Sequence, residues 1–124
     1  MTLGREKYVL LTTYRKSGEG VPTPVWVGEE DGALYVWSTA DAGKVKRIRR
    51  DGRVHIGPCD LRGRPTGDQV EAHAELLDAE GSEFSRRLIA RKYGLLGRLT
   101  LLGSRLRRGR QGTIGIRVIP STQG

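Results

Sequence analysis

The chain has 124 residues and a mass of 13.7 kDa, a length that suits one domain and excludes a two-domain enzyme. Hydrophobic residues make up 36% of it and glycine occurs 18 times, a globular composition with many tight turns that leans toward β-structure. Lys and Arg number 22 against 14 Asp and Glu, so the formal charge of +8 favours an anionic partner, and the single Cys59 excludes an internal disulfide.

No stretch approaches the roughly 20 apolar residues that span a bilayer, and the start of the chain lacks a signal-peptide core. A soluble protein in a reducing cytoplasm is the expectation. Tyr8 to Arg15, rich in β-branched and aromatic residues, predicts a first strand, and Ser17-Gly18-Glu19-Gly20 a turn. Val21 to Gly28 predicts a second strand whose Pro22 and Pro24 place its first half at an edge or bulge. Glu30-Asp31-Gly32 is a hairpin signal, Ala33 to Thr39 a third strand, and the three together suggest a meander. Between Asp41 and Gly52 the i, i+3 pair Val45 and Ile48 among charges predicts a short helix with Gly52 as its C-cap.

Arg53 to Asp60 predicts a fourth strand and Leu61 to Gly67 a loop. Gln69, Glu71, His73 and Glu75 then alternate with Val70, Ala72, Ala74 and Leu76 in a fifth. From Ser82, a candidate N-cap, Phe84, Leu88, Leu95, Leu99, Leu102 and Leu106 form one helical stripe interrupted at Gly94, Gly97 and Gly103, as one long helix or two shorter ones. Gly112 to Ile119 is a sixth strand, followed by a tail from about Pro120. The whole is a mainly β protein: a six-stranded, largely antiparallel barrel over residues 1–124, with a short helix after strand three and a helical insertion before the last strand. An open α+β sheet is the alternative.

Two segments hold most of the basic residues: six lie between Gly43 and Arg53, and nine between Arg86 and Arg110 with no acidic residue among them. In the first, Ser38 and Thr39 end a strand, Gly43 allows close backbone approach, and Lys44 and Arg47 share one face of a first helical turn. Free amides, hydroxyls and cations converge there as they do around a phosphate, although an ordinary solvated helix carries similar residues. The second is a basic amphipathic segment. Its leucines either pack on the barrel or a second subunit, which is the commoner arrangement, or lie on an anionic lipid surface or nucleic acid.

His55 and His73 lack partners at metal-ligand spacing, so no metal is expected. Cys59 reads as a packed strand residue. Trp26 and Trp37 are either core aromatics or a platform for a flat heterocycle. No hydrolase triad or recognised nucleic-acid motif is present.

The segments Leu11 to Gly18, Pro22 to Trp26, Tyr35 to Thr39, Ala42 to Arg49, Val54 to Gly67, Glu71-Ala72 and Arg91-Lys92-Tyr93-Gly94 form an ordered set running from about Tyr8 to Ile119. That set resembles the pyridoxamine-phosphate-oxidase-like split β-barrel family, which includes FMN-binding proteins, and within it the actinobacterial deazaflavin (coenzyme F420)-dependent oxidoreductases of the B type. The resemblance implies a homodimer of split barrels with a cofactor in each of two clefts between subunits. It implies that Lys44 and Arg47, with Ser38, Thr39, Gly43 and Val45 in the same stretch, hold the cofactor phosphate. Pro24, Val25 and Trp26 would border the ring, with Trp37, Pro58 and Cys59 near it. FMN-using relatives place their phosphate similarly, whereas Lys46, Arg49 and Arg50 suit the longer polyanionic arm of F420.

The expected activity is hydride transfer between F420 and a planar, unsaturated small molecule, with Trp26, Trp37 and Tyr14 as candidate cleft walls. Any proton would come from solvent, Tyr14 or Cys59. An FMN-dependent oxidoreductase and a non-catalytic F420-binding protein are the alternatives. Nucleic acid is not an expected partner, and peripheral membrane contact through residues 86–110 stays open.

Overall fold

Alternation along the strands gives each an apolar inner face. Val9 and Leu11 on β1 (Val9–Tyr14), Leu34 and Val36 on β4 (Ala33–Thr39), and Val54 and Ile56 on β5 (Arg53–Pro58) are all buried. So are Ala72 and Ala74 on β6 (Val70–Leu76) and Ile116 and Val118 on β7 (Thr113–Pro120). The computed structural model describes residues 3–108 and 112–121, apart from the side chains of residues 95–108. Two further strands, β2 (Gly20–Val25) and β3 (Gly28–Glu30), complete one antiparallel sheet of order β2-β1-β5-β6-β7-β4-β3. Helix α1 (Gly43–Arg50) adds Val45 and Ile48 to the same core, and truncating a residue such as Leu11 or Ile56 there costs about 2–5 kcal/mol.

The sheet has seven strands rather than the six expected, because Val21 to Gly28 is not one strand. It breaks after Val25, and its two parts lie on opposite edges of the sheet, joined only by Trp26 and Val27. A link this short reaches no more than about 10 Å, so the two edges curl toward each other and form a half-barrel without pairing. The break has a local cause. The Val27 amide donates to Tyr93 Oη at 3.0 Å and its carbonyl accepts from Lys92 Nζ at 2.8 Å, so side chains replace the ladder there. The expected meander is absent for the same reason: β2 pairs only with β1, while β4 pairs with β3 and β7. The placement of Pro22 and Pro24 at an edge agrees with the sequence reading.

Helix α2 (Ala79–Arg108) starts earlier than expected, because Asp78 rather than Ser82 provides the cap: its Oδ1 accepts the Gly81 amide at 2.8 Å. The helix is broken once, at Gly94, whose φ of 69° only glycine adopts without strain. Its first part lies on the outer face of the sheet. Phe84 meets Tyr35 edge-on at 5.1 Å, Leu88 crowds Gly28, and a Cβ on Gly115 would sit 2.6 Å from Ser85 Oγ. The stripe therefore packs on the barrel as far as Leu88, while the expected contributions of Leu95, Leu99, Leu102 and Leu106 and the membrane contact fall on side chains outside the described residues. Gly52 is not the α1 cap. Asp51 closes the helix in an extended conformation, and Gly52 lies instead where a Cβ would be 2.8 Å from the Ala74 carbonyl. β7 also runs through Pro120, which pairs with Ala72. Among the described residues no helix is long and apolar enough to cross a membrane.

Candidate cofactor site

At the end of β4 the chain turns directly into α1. Ala42, the N-cap residue, has no side-chain acceptor, so the first-turn amides at Gly43 and Lys44 go uncapped. Lys44 and Arg47 project from one flank of this helix. Arg47 Nε donates to Thr13 Oγ1 at 2.6 Å, and Thr13 is fully buried on β1. The guanidinium then folds back over the helix start, where its Nη1 lies 2.8 Å from the place a Gly43 Cβ would occupy. Any larger residue at position 43 would displace it.

Lys44 is half-buried; that burial, reinforced by the charge of Arg47, lowers its pKa from the usual 10.5. Arg47 is lowered in the same sense by desolvation and by Arg15. Among the described residues no carboxylate forms an ion pair with Lys44 or Arg47. Two adjacent, partly desolvated cations beside uncapped amides have the charge and geometry that an anion would need.

The other expected residues divide into three groups. Ser38 points inward, and its hydroxyl donates to the Thr39 carbonyl at 3.1 Å; Thr39 next to it is half-buried on the opposite face. Val25 and Val45 are core residues, so only their backbone can meet a ligand. Pro24 is exposed on the outer face of β2, in register with Leu10, which pairs with Gly57 next to Pro58. Against Pro24 and Leu10 packs Gly63, from a loop organised by Asp60, whose carboxylate accepts the Arg62 and Arg64 amides, both at 2.9 Å. Cys59 is buried in that corner, and burial, aided by Asp60 and Glu6, pushes its thiol up, so it keeps its proton. Leu10 and Thr13 are three residues apart on β1, so this corner and the Arg47 anchor are separated by about 10 Å along the strand.

The two tryptophans pack against α2. Trp26 stacks on Tyr93 with ring centroids 4.4 Å apart, and Trp37 lies beneath α2 with Ile89 and Ala90. Sequence reasoning missed the device that fixes Trp26. Tyr93 Oη donates to the Lys7 carbonyl at 2.7 Å, and Lys92 Nζ gathers the carbonyls of Gly4, Glu6 and Val27. It also missed His55, whose Nδ1 lies 2.5 Å from Tyr14 Oη while the Arg53 guanidinium covers the Tyr14 ring at 4.7 Å. Both contacts depend on strand register, which local composition does not encode. Among the described residues no cluster of three His, Cys, Asp or Glu is present.

No protein-family model matches the sequence, and no curated protein does. Solved structures match its fold. The chain is 13% identical to a protein from Listeria innocua assigned as a pyridoxamine 5'-phosphate oxidase, with a TM-score of 0.66 over 97% of this chain and 88% of that one. It is 19% identical to an F420 reductase, with a TM-score of 0.65 over 98% and 92% of the two chains. It is also 14% identical to the heme storage protein HutZ from Vibrio cholerae, with a TM-score of 0.69 over 96% and 84%. These likenesses define the class of fold, the split half-barrel shared by pyridoxamine-phosphate-oxidase-like proteins.

Proposed function

We propose that the protein is an F420-dependent oxidoreductase that transfers a hydride between the deazaflavin coenzyme and an unsaturated organic substrate, as a homodimer with a cofactor cleft at each subunit junction. The observation that carries this reading is the Lys44–Arg47 pair, held together beside uncapped amides with no carboxylate ion-paired to either among the described residues. Solved structures of the same fold, one of them an F420 reductase, add support.

The residues present suit such a cofactor. Lys44, Arg47 and the Gly43 amide would hold its phosphate, and the ring would lie toward Pro24, Trp26, Pro58 and Cys59. Exposed Lys46 would add charge for a longer anionic tail. When bound, a deazaflavin supplies two-electron hydride chemistry, and the chain's own task is to hold, orient and exclude water. Any proton would come from solvent, from Cys59 or from Tyr14, whose Oη is paired with His55 Nδ1 on the outer sheet face.

A single phosphate monoester would also satisfy Lys44 and Arg47, which favours FMN as the second reading. Titration of purified apoprotein with each cofactor separates the two. Tighter binding of F420 by about tenfold supports the proposal, preference for FMN replaces it with the second reading, and binding of neither removes both. F420 binding without turnover across enone and quinone acceptors would identify a cofactor-binding protein instead.

A further inference from the structure

Adjacent positions two apart on a helix are turned by ~200° about its axis, so Arg49 leaves α1 on the side away from Arg47. There it lines a cavity of about 580 Å³ between the ends of β4 and β6, the start of β7 and the first turns of α2. This is the size of ordinary small-molecule sites, roughly 300–1,000 Å³. The Trp37 indole lines it together with the aliphatic side chains of Leu77 and Ile114.

Its charges are unequal in availability. Asp78 caps α2, and Glu83 accepts from Arg86 at 2.5 Å, so the two acidic groups at the cavity are engaged. Arg49 is exposed, and among the described residues no carboxylate pairs with it. An aromatic face, an aliphatic lining and one free guanidinium fork are complementary to a flat ring bearing a carboxylate, because the fork takes both oxygens while the indole takes the ring.

We propose that this cavity is a second binding site, separate from the Lys44–Arg47 cluster, for a small planar aromatic carboxylic acid, held by Arg49 through its carboxylate and by Trp37 through its ring. The site needs no cofactor, so it stands or falls independently of the F420 reading.

The chain has two tryptophans, so its indole N–H region contains two signals, assignable with a Trp26→Phe variant. Titrating the apoprotein with 2-naphthoate should move the Trp37 signal saturably and leave that of Trp26 in place. The neutral analogue 2-naphthylmethanol and the variant Arg49→Gln should each weaken binding about tenfold or more, as loss of a charge-assisted contact does, while Lys44→Ala leaves it unchanged. A Trp37 signal that does not respond overturns the proposal. So does equal binding of acid and alcohol, or a loss in Lys44→Ala as large as that in Arg49→Gln, which would place the acid in the phosphate cluster.

Discussion

Arg47 on α1 and Thr13 on β1 are tied by a 2.6 Å hydrogen bond that joins the candidate anion site to the barrel wall. Thr13 is fully buried, so its hydroxyl has no alternative role in solvent. Thr13→Val keeps the shape and removes the acceptor, leaving Arg47 Nε unpaired at a partly desolvated place. We expect a stability loss of about 1–3 kcal/mol in urea unfolding, and weaker cofactor binding as the guanidinium swings free.

Lys44→Ala should weaken cofactor binding about tenfold or more, because a charge-assisted contact to phosphate contributes roughly 1.5–3 kcal/mol. Unchanged affinity in a calorimetric titration would rule out the Lys44 site. The fold should tolerate the change, since the apolar anchors of α1 are Val45 and Ile48.

Binding should also depend on pH in a defined direction. Burial lowers Lys44, so the free protein loses this charge below the usual 10.5. An anion restores preference for the ammonium, so complex formation takes up a proton, and affinity falls as pH rises through the lowered pKa of free Lys44. Lys44→Arg keeps its charge and should move that decline to higher pH. Dissociation constants measured between pH 7 and 10 in both proteins check this.

Much of this fold is legible in the sequence, for physical reasons that differ by element. The alternation in Val70 to Leu76 and the run in Ala33 to Thr39 give strands because each has one face in the core. Helix α1 and the Lys44 and Arg47 flank follow from a first turn, where neighbours are fixed by helical geometry. The break at Val25 is not legible, because it depends on Lys92 and Tyr93, some 65 residues away in sequence, capturing the Val27 backbone. Trp37 carries no local sign of which sheet face it occupies, and only its register with Gly115 on β7 places it under α2.

Lys92 therefore has a measurable structural role. Lys92→Met removes the donor from three carbonyls while keeping the aliphatic stem, and should cost about 1–2 kcal/mol, discounted because the ammonium is partly exposed. Near-ultraviolet circular dichroism should report the freed Trp26–Tyr93 stack, and an unaltered spectrum with unaltered stability would refute the clamp.

At Gly115, a methyl group would meet Ser85 Oγ at 2.6 Å and the Ser82 Cα at 2.9 Å, and the second contact is backbone that cannot rotate away. Gly115→Ala should push α2 off β7 and lower stability by about 1–3 kcal/mol, seen as a reduced melting temperature.

The short Trp26–Val27 link has a consequence for how copies of this chain can meet. One rim of the sheet carries two prolines with no amide to offer, and the other is three residues long with Glu29 and Glu30 exposed. Prolines on one rim and exposed carboxylates on the other both disfavour an added strand. Contact between copies through the sheet would then be face to face rather than edge to edge, with Pro24, Tyr14 and His55 on the outer face.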